Sequence, residues 1–249
     1  MPHLEPPGVD ARARARIRQP PSEAEPPAAP SCRTPAKGPA GWPWLPPALL
    51  AVALVAMAAD GGIAQWFLEG NYPKVVAELI EVCEAFGNGF GVMLLALVVY
   101  QLDVGRRRML PRLLACSLGA GIAANVVKLL VARTRPYAFD FEGGVLATFG
   151  EWFPFLRGGA AVQSFPSGHT ATAAGLAVAL TWLYPRGRWM FALLAVLVAC
   201  QRMQSGSHYP SDVLVGAAVG LVVARACLGP GWLAPWFDRF ESPQKGGTG

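Results

Sequence analysis

Six long apolar stretches constrain this chain more than any other feature of its sequence. They run roughly over residues 48–68, 86–102, 113–132, 168–184, 189–203 and 213–228. None of them alternates apolar and polar residues as a half-buried strand does, so each is predicted to be a helix. Several are shorter than the ~20 residues of an ideal membrane span, and flanking residues or tilt would adjust the fit. The pattern predicts an all-α fold, an integral-membrane bundle of six transmembrane helices.

The composition agrees with a membrane protein. Hydrophobic residues make up 53% of the 249 residues and charged residues only 15%, whereas roughly 25% is usual for a soluble domain. Residues 1–46 are rich in Pro, Ala and Arg and show no apolar period, which predicts a disordered, basic, cytoplasmic N-terminal tail. Residues 47–229 then form the six-helix membrane domain, and residues 230–249 a cytoplasmic C-terminal tail.

The positions of the basic residues predict the topology. Two loops are rich in arginine: Arg106, Arg107, Arg108 and Arg112 follow the second stretch, and Arg186 and Arg188 follow the fourth. Because positive loops face the cytoplasm, both termini are predicted inside and the segments 69–85, 133–167 and 204–212 outside. Five cations then lie near the outer side, against the bias, and call for a reason: Lys128, Arg133, Arg135, Arg157 and Arg202.

Two features of the first 85 residues concern charge beside apolar sequence. Asp60 interrupts the first apolar stretch, where a carboxylate near mid-membrane costs about 2.5–3.5 kcal/mol. We favour a break near the outer end of that helix, and the alternative is a partner for a buried base. Residues 75–84 place apolar side chains on one helical face and glutamates largely opposite, which predicts an amphipathic helix on the membrane surface.

The first of three short polar patterns is KLLVARTRP, from Lys128 to Pro136. Lys128 and Arg135 are seven residues apart, about two helical turns, so they are predicted to share one face of a helix that Pro136 ends. Two cations on one face at a membrane surface suit a bound dianion. Taken alone, the pattern is explained better by snorkelling toward lipid phosphates.

The second pattern, PSGH, opens the fourth apolar stretch. Ser167 is predicted to be an N-cap, and Gly168 leaves backbone N–H groups unobstructed where the helix dipole favours an anion. His169 is placed to deliver a proton beside that anion. The alternative is an ordinary capped helix start with an incidental histidine.

The third pattern, QRMQSGSHYPSD, runs from Gln201 to Asp212. His208 and Asp212 are four residues apart, and Pro210 is tolerated only in the first turn of a helix. Asp212 can hold one imidazole nitrogen and leave the other free to attack, while Arg202 adds a cation. The alternative is an acidic first turn and an interfacial histidine.

One anion site explains the three patterns jointly, because both histidines beyond the tail and most of the outer cations fall within them. In this order the patterns resemble the signature of the type-2 phosphatidic acid phosphatase / vanadium haloperoxidase superfamily, K-x(6)-R-P, P-S-G-H and S-R-x(5)-H-x(3)-D. The resemblance covers residues 128–212, and the six-helix layout extends it to about 48–228. One position departs, since Gln201 stands where the family has serine, and we expect it to tune activity rather than abolish it.

The resemblance implies a role for each motif residue. His208 is expected to be the nucleophile, Asp212 the carboxylate that orients it, and His169 the acid that protonates the leaving oxygen. The expected phosphate-binding residues are Lys128, Arg135, Ser167, Gly168 and Arg202. The family needs no metal for hydrolysis, so we expect neither metal nor cofactor, in agreement with the lack of metal-ligand spacing outside the motifs.

The expected function is a metal-independent lipid phosphate or pyrophosphate phosphatase that works through a phosphohistidine at the outer membrane–water interface. Its partners are expected to be a lipid phosphate substrate and membrane lipids, with no nucleic acid. Its expected location is the bacterial inner membrane, with the site facing the periplasm or the outside. Two alternatives stay open: a lipid phosphotransferase on the same fold, and a non-catalytic membrane scaffold or transporter. The motifs fit phosphatidic acid, phosphatidylglycerol phosphate, a polyprenyl diphosphate and a lipid A phosphate alike.

Overall fold

The computed structural model describes residues 43–155, 157–229 and 231–241. Residues 1–42 of the predicted N-terminal tail and residues 242–249 of the C-terminal tail lie outside this part of the chain. The helices are α1 Leu45–Ala56, α2 Asp60–Glu69, α3 Lys74–Val82, α4 Gly89–Leu102, α5 Leu110–Lys128, α6 Gly168–Leu183, α7 Arg188–Gln204, α8 Pro210–Cys227 and α9 Ala234–Glu241. Short 3₁₀ segments lie at Met57–Ala59, Cys83–Gly87, Val104–Met109, Pro136–Ala138, Val145–Thr148, Ala160–Val162 and Pro185–Gly187.

Several helical segments have the length and apolarity of a membrane span. In the described residues these are Leu45–Glu69, Val104–Lys128 and Pro210–Cys227. The segments Lys74–Gly87 and Gly89–Leu102 qualify only together and meet at an angle of 72°. α6 and α7, with 16 and 17 residues, are about 24–26 Å long against a hydrocarbon core of about 30 Å. A multi-pass helical membrane protein is therefore confirmed, and the number of six transmembrane helices stays a prediction.

α6 lies at the centre of the bundle, packed against α5, α7 and α8. Most of its residues are buried. Glycines make this close packing possible, because a Cβ added to Gly216 or Gly220 of α8 would lie 2.4 Å from a backbone carbonyl oxygen of Ser167 or Ala171. The start of α6 is thereby fixed against the start of α8. The second motif opens α6, and the third motif ends in the first turn of α8.

The fold is mostly helical, as predicted, and one small antiparallel sheet is an addition that the sequence did not predict. β1 Val131–Arg133 pairs with β2 Phe149–Trp152 soon after α5 ends. The spacing predicted that Lys128 and Arg135 share one face of a helix. This prediction was wrong, because the helix ends at Lys128 and Arg135 follows a strand. The residue before a proline is disfavoured in the α conformation, and Arg135, before Pro136, has the extended angles φ −72° and ψ 150°.

The predicted C-terminal tail contains a short helix, α9. Arg112 of α5 holds it through ion pairs with Asp238 at 2.5 Å and Glu241 at 2.8 Å. The amphipathic prediction for residues 75–84 corresponds to α3, whose Val75, Leu79 and Val82 are exposed.

Candidate active site

One cavity of about 400 Å³ collects most of the predicted site residues. It lies where the first turn of α6 faces the ends of α5 and α7 and the segment before α8. Its lining includes Lys128, Arg135, Gly168, His169, Arg202 and His208. Ser167 and Asp212 are fully buried and do not belong to that lining.

Three cations reach this cavity from three different segments. Lys128 is the last residue of α5, and Arg202 lies in the last turn of α7. Arg135 arrives on extended chain after β1, where its backbone N–H donates to the carbonyl oxygen of Ala161 at 2.8 Å. The buried Nε of Arg135 has no hydrogen-bond partner in the described residues. Such a donor is expected where a ligand supplies the acceptor.

The first turn of α6 closes one side of the cavity. Ser167 is the predicted N-cap: its Oγ accepts from the Thr170 N–H at 3.4 Å and lies 2.9 Å from Thr170 Oγ1. The serine hydroxyl is thus engaged within the cap, whereas Gly168 and His169 face the cavity. The positive end of the helix dipole is directed at the same space as the three cations, and that space is suited to an anion.

His208 lies in the segment between α7 and α8 and is almost fully buried. Its Nδ1 is 2.5 Å from the carbonyl oxygen of Ser164 and 3.8 Å from Oδ2 of Asp212. The closest partner of the imidazole is therefore the Ser164 main chain and not the predicted carboxylate. Burial lowers the pKa of His208 below its ordinary 6.5, and the neighbouring Asp212 carboxylate opposes that change. The neutral imidazole is favoured.

Asp212 lies close to His208 in sequence and space and is held by three other groups. Its Oδ2 accepts from Ser164 Oγ at 2.6 Å and from the Tyr209 N–H at 2.9 Å. Its Oδ1 is 2.5 Å from Arg133 Nη1. The carboxylate therefore fixes both the segment that carries the Ser164 carbonyl and the start of α8.

Asp60 fits both interpretations offered by the sequence: the 3₁₀ segment Met57–Ala59 breaks the helix just before it, and its side chain pairs with a buried base. It is fully buried, lies 2.7 Å from Arg133 Nη2, and accepts from the Ser211 N–H at 2.9 Å. The pairing follows because a buried guanidinium requires opposite charge. The ion pairs of Arg133 with Asp60 and Asp212 also explain why this arginine lies on the outer side, against the positive-inside rule. Two features of the sequence could have indicated this pair: Asp60 lies in an apolar stretch, and Arg133 lies on the outer side against the positive-inside rule.

Glu84 is a site residue that the sequence analysis did not identify. It lies in the 3₁₀ segment Cys83–Gly87, which follows α3. Its Oε1 lies 2.8 Å from Arg202 Nη2 and 3.5 Å from His169 Nε2. Its Oε2 accepts from Gln201 Nε2 at 3.3 Å. No motif marks Glu84, because the contact depends on how α3 and α7 pack.

Comparison with known proteins decides the family. The model of the PAP2 superfamily matches residues 110–232, which contain all three motifs. A lipid A 1-phosphatase of Rhizobium etli is 31% identical over 186 residues, which cover 68% of this chain and 76% of that protein. The chain belongs to the PAP2 superfamily. An undecaprenyl-diphosphatase of Sulfolobus acidocaldarius is 31% identical over 100 residues, or 40% of this chain and 44% of the relative.

A solved structure shares the PAP2 fold. The crystal structure of Aquifex aeolicus LpxE superposes with a TM-score of 0.54 at 22% identity, covering 68% of this chain and 94% of that chain. The predicted enzyme class is confirmed by the named relatives: this PAP2 superfamily member is a membrane phosphatase that hydrolyses phosphate esters.

Proposed function

We propose that this PAP2 phosphatase hydrolyses a lipid phosphate through a phosphohistidine on His208, without a metal ion, at the outer membrane–water interface. The observation that carries the proposal is one cavity lined by two imidazoles and three cations at a helix N-terminus. The hydrogen bond of His208 Nδ1 to a carbonyl oxygen leaves the lone pair on Nε2, the atom that would attack.

The proposed reaction has two steps. The Nε2 lone pair of His208 attacks phosphorus, a P–N bond forms, and the P–O bond to the lipid breaks as His169 protonates the leaving oxygen. Water then attacks phosphorus, gives its proton to His169, and breaks the P–N bond to release inorganic phosphate. Lys128, Arg135 and Arg202 would stabilise the equatorial oxygens, the charge that phosphoryl transfer must accommodate.

The location of the cavity supports a lipid substrate. Its lining includes Lys128, which ends the apolar segment Val104–Lys128, and His208, two residues before the segment Pro210–Cys227 begins. The phosphate would thus lie at headgroup depth. Arg106, Arg107 and Arg108 lie near the opposite end of Val104–Lys128, so the positive-inside rule favours an extracytoplasmic site, in the periplasm if this is a bacterial inner membrane. The related lipid A 1-phosphatase and undecaprenyl-diphosphatase make lipid phosphates and diphosphates the substrates to test first.

The test is phosphate release by the purified protein in detergent with EDTA present. The panel comprises phosphatidic acid, phosphatidylglycerol phosphate, lipid A and a polyprenyl diphosphate, each compared with the His208→Ala variant. The wild-type protein is expected to release phosphate, and His208→Ala to lose about a thousandfold or more of kcat with an unchanged unfolding temperature. Full turnover by His208→Ala, or a wild-type activity that EDTA abolishes and added metal restores, would refute the mechanism.

A further inference from the structure

A carboxylate that is not itself part of the cavity lining contacts two residues of that lining. Glu84 pairs with Arg202 at 2.8 Å and approaches His169 Nε2 at 3.5 Å. Asp212, by contrast, pairs with Arg133 further inside the protein. Since His169 is the proposed donor to the leaving oxygen, the contact of Glu84 with His169 would bring its charge near the leaving group.

Gln201 holds this carboxylate in place. Its Nε2 donates to Glu84 Oε2 at 3.3 Å, and its Oε1 accepts from Arg202 Nε at 2.5 Å. Gln201 is almost fully buried, so its amide has little freedom to turn elsewhere. A serine, the residue of the family pattern at this position, has one short hydroxyl and would not bridge both groups. The departure from the family signature therefore has a structural partner in Glu84.

The charge of Glu84 bears differently on two kinds of lipid phosphate. A phosphate monoester brings about two negative charges, which face the three cations. In a diphosphate the leaving group is itself an anionic phosphate, and it would lie beside the Glu84 carboxylate. Like charges in a partly desolvated site repel. A sugar or glycerol leaving group carries no charge beside the scissile bond, and its hydroxyl or amide can donate a hydrogen bond to the carboxylate.

We infer that Glu84 is a specificity-determining residue that favours lipid phosphate monoesters with a polar, uncharged leaving group over lipid diphosphates. The inference rests on the proposed function. It assigns Gln201 the role of positioning Glu84 against Arg202 and His169.

The experiment compares two lipids with the same anchor, phosphatidic acid and diacylglycerol diphosphate, as initial rates of phosphate release in detergent. The wild-type protein is expected to prefer phosphatidic acid in kcat/KM. Glu84→Gln should lower that preference roughly tenfold, chiefly by raising kcat/KM for the diphosphate. Glu78→Gln makes the same charge change on α3, where Glu78 is exposed, and should leave the ratio unchanged.

The outcomes separate the inference from the function. An unchanged ratio in Glu84→Gln, an equal loss on both lipids, or a wild-type preference for the diphosphate overturns the inference while leaving a His208-dependent phosphatase intact. Absence of His208-dependent release from either lipid overturns the proposed function and this inference with it. Unfolding temperatures of both variants in detergent exclude loss of folding as the cause.

Discussion

The Nδ1 atom of His208 lies 2.5 Å from the main-chain carbonyl oxygen of Ser164. A carbonyl only accepts hydrogen bonds, so Nδ1 carries the proton and Nε2 carries the lone pair. Because a main-chain atom sets this tautomer, it does not depend on the Ser164 side chain. Asp212 acts on His208 indirectly. It accepts a hydrogen bond from Ser164 Oγ at 2.6 Å, and its negative charge lies 3.8 Å from the imidazole Nδ1.

This relationship predicts different effects for two substitutions. Ser164→Ala keeps the carbonyl and should lower kcat by about tenfold or less, the effect of one lost hydrogen bond. Asp212→Asn removes the charge that stabilises a positively charged imidazole and should lower kcat by about 10²–10⁴-fold. Both are measured as phosphate release from phosphatidic acid. Equal losses in the two variants would contradict the assignment of the tautomer to the main chain.

The buried environment of His208 predicts the pH profile. Burial lowers the pKa of His208 below 6.5, against the opposing effect of Asp212. Since the neutral ring attacks, kcat/KM should fall only as pH drops through that lowered pKa, which puts the acidic limb below pH 6.5. A basic limb should appear in kcat, because the negative charge of the bound phosphate stabilises protonated His169 in the substrate complex, and the two limbs report the coupled histidines. His169→Gln should remove the basic limb and keep the acidic one. An acidic midpoint above 6.5, or a flat profile from about pH 5 to 9, would contradict this account.

Arg133 predicts a large effect on stability. It lies between two buried carboxylates, at 2.7 Å from Asp60 and 2.5 Å from Asp212. Arg133→Met leaves both carboxylates without their base and should cost about 3–5 kcal/mol of unfolding free energy. Arg157→Met is the matched control, because Arg157 is exposed in the same connection. The measurement is unfolding in detergent. A similar change in both variants would show that the buried charge chain contributes little to stability.

The sequence predicts this site where the chemistry is local. PSGH contains its own helix start, and its N-cap is found as predicted. Lys128 and Arg135 line one cavity, but the shared helical face predicted for them was wrong, because β1 pairs with a segment that spacing rules cannot relate to it. No feature of the sequence indicated that Ser164 or Glu84 contacts a site residue. Their contacts to His208 and Gln201 span 44 and 117 residues of sequence, and they exist only once the helices pack.

The contact between α6 and α8 supplies the last prediction. A Cβ on Gly220 would lie 2.4 Å from the carbonyl oxygen of Ala171 and 2.8 Å from the Cβ of Ala174. Neither helix can yield without moving the first turn of α6 or the start of α8, so Gly220→Ala should cost about 1–3 kcal/mol of unfolding free energy and lower kcat as well. Gly62→Ala is the control, because nothing lies within 4 Å of a Cβ at this position in α2, and helix propensity should make it neutral or stabilising by up to about 1 kcal/mol. Unfolding in detergent and phosphate release are measured on both variants. If Gly220→Ala were as stable and as active as Gly62→Ala, the close packing of these helices would not be what holds the two motifs together.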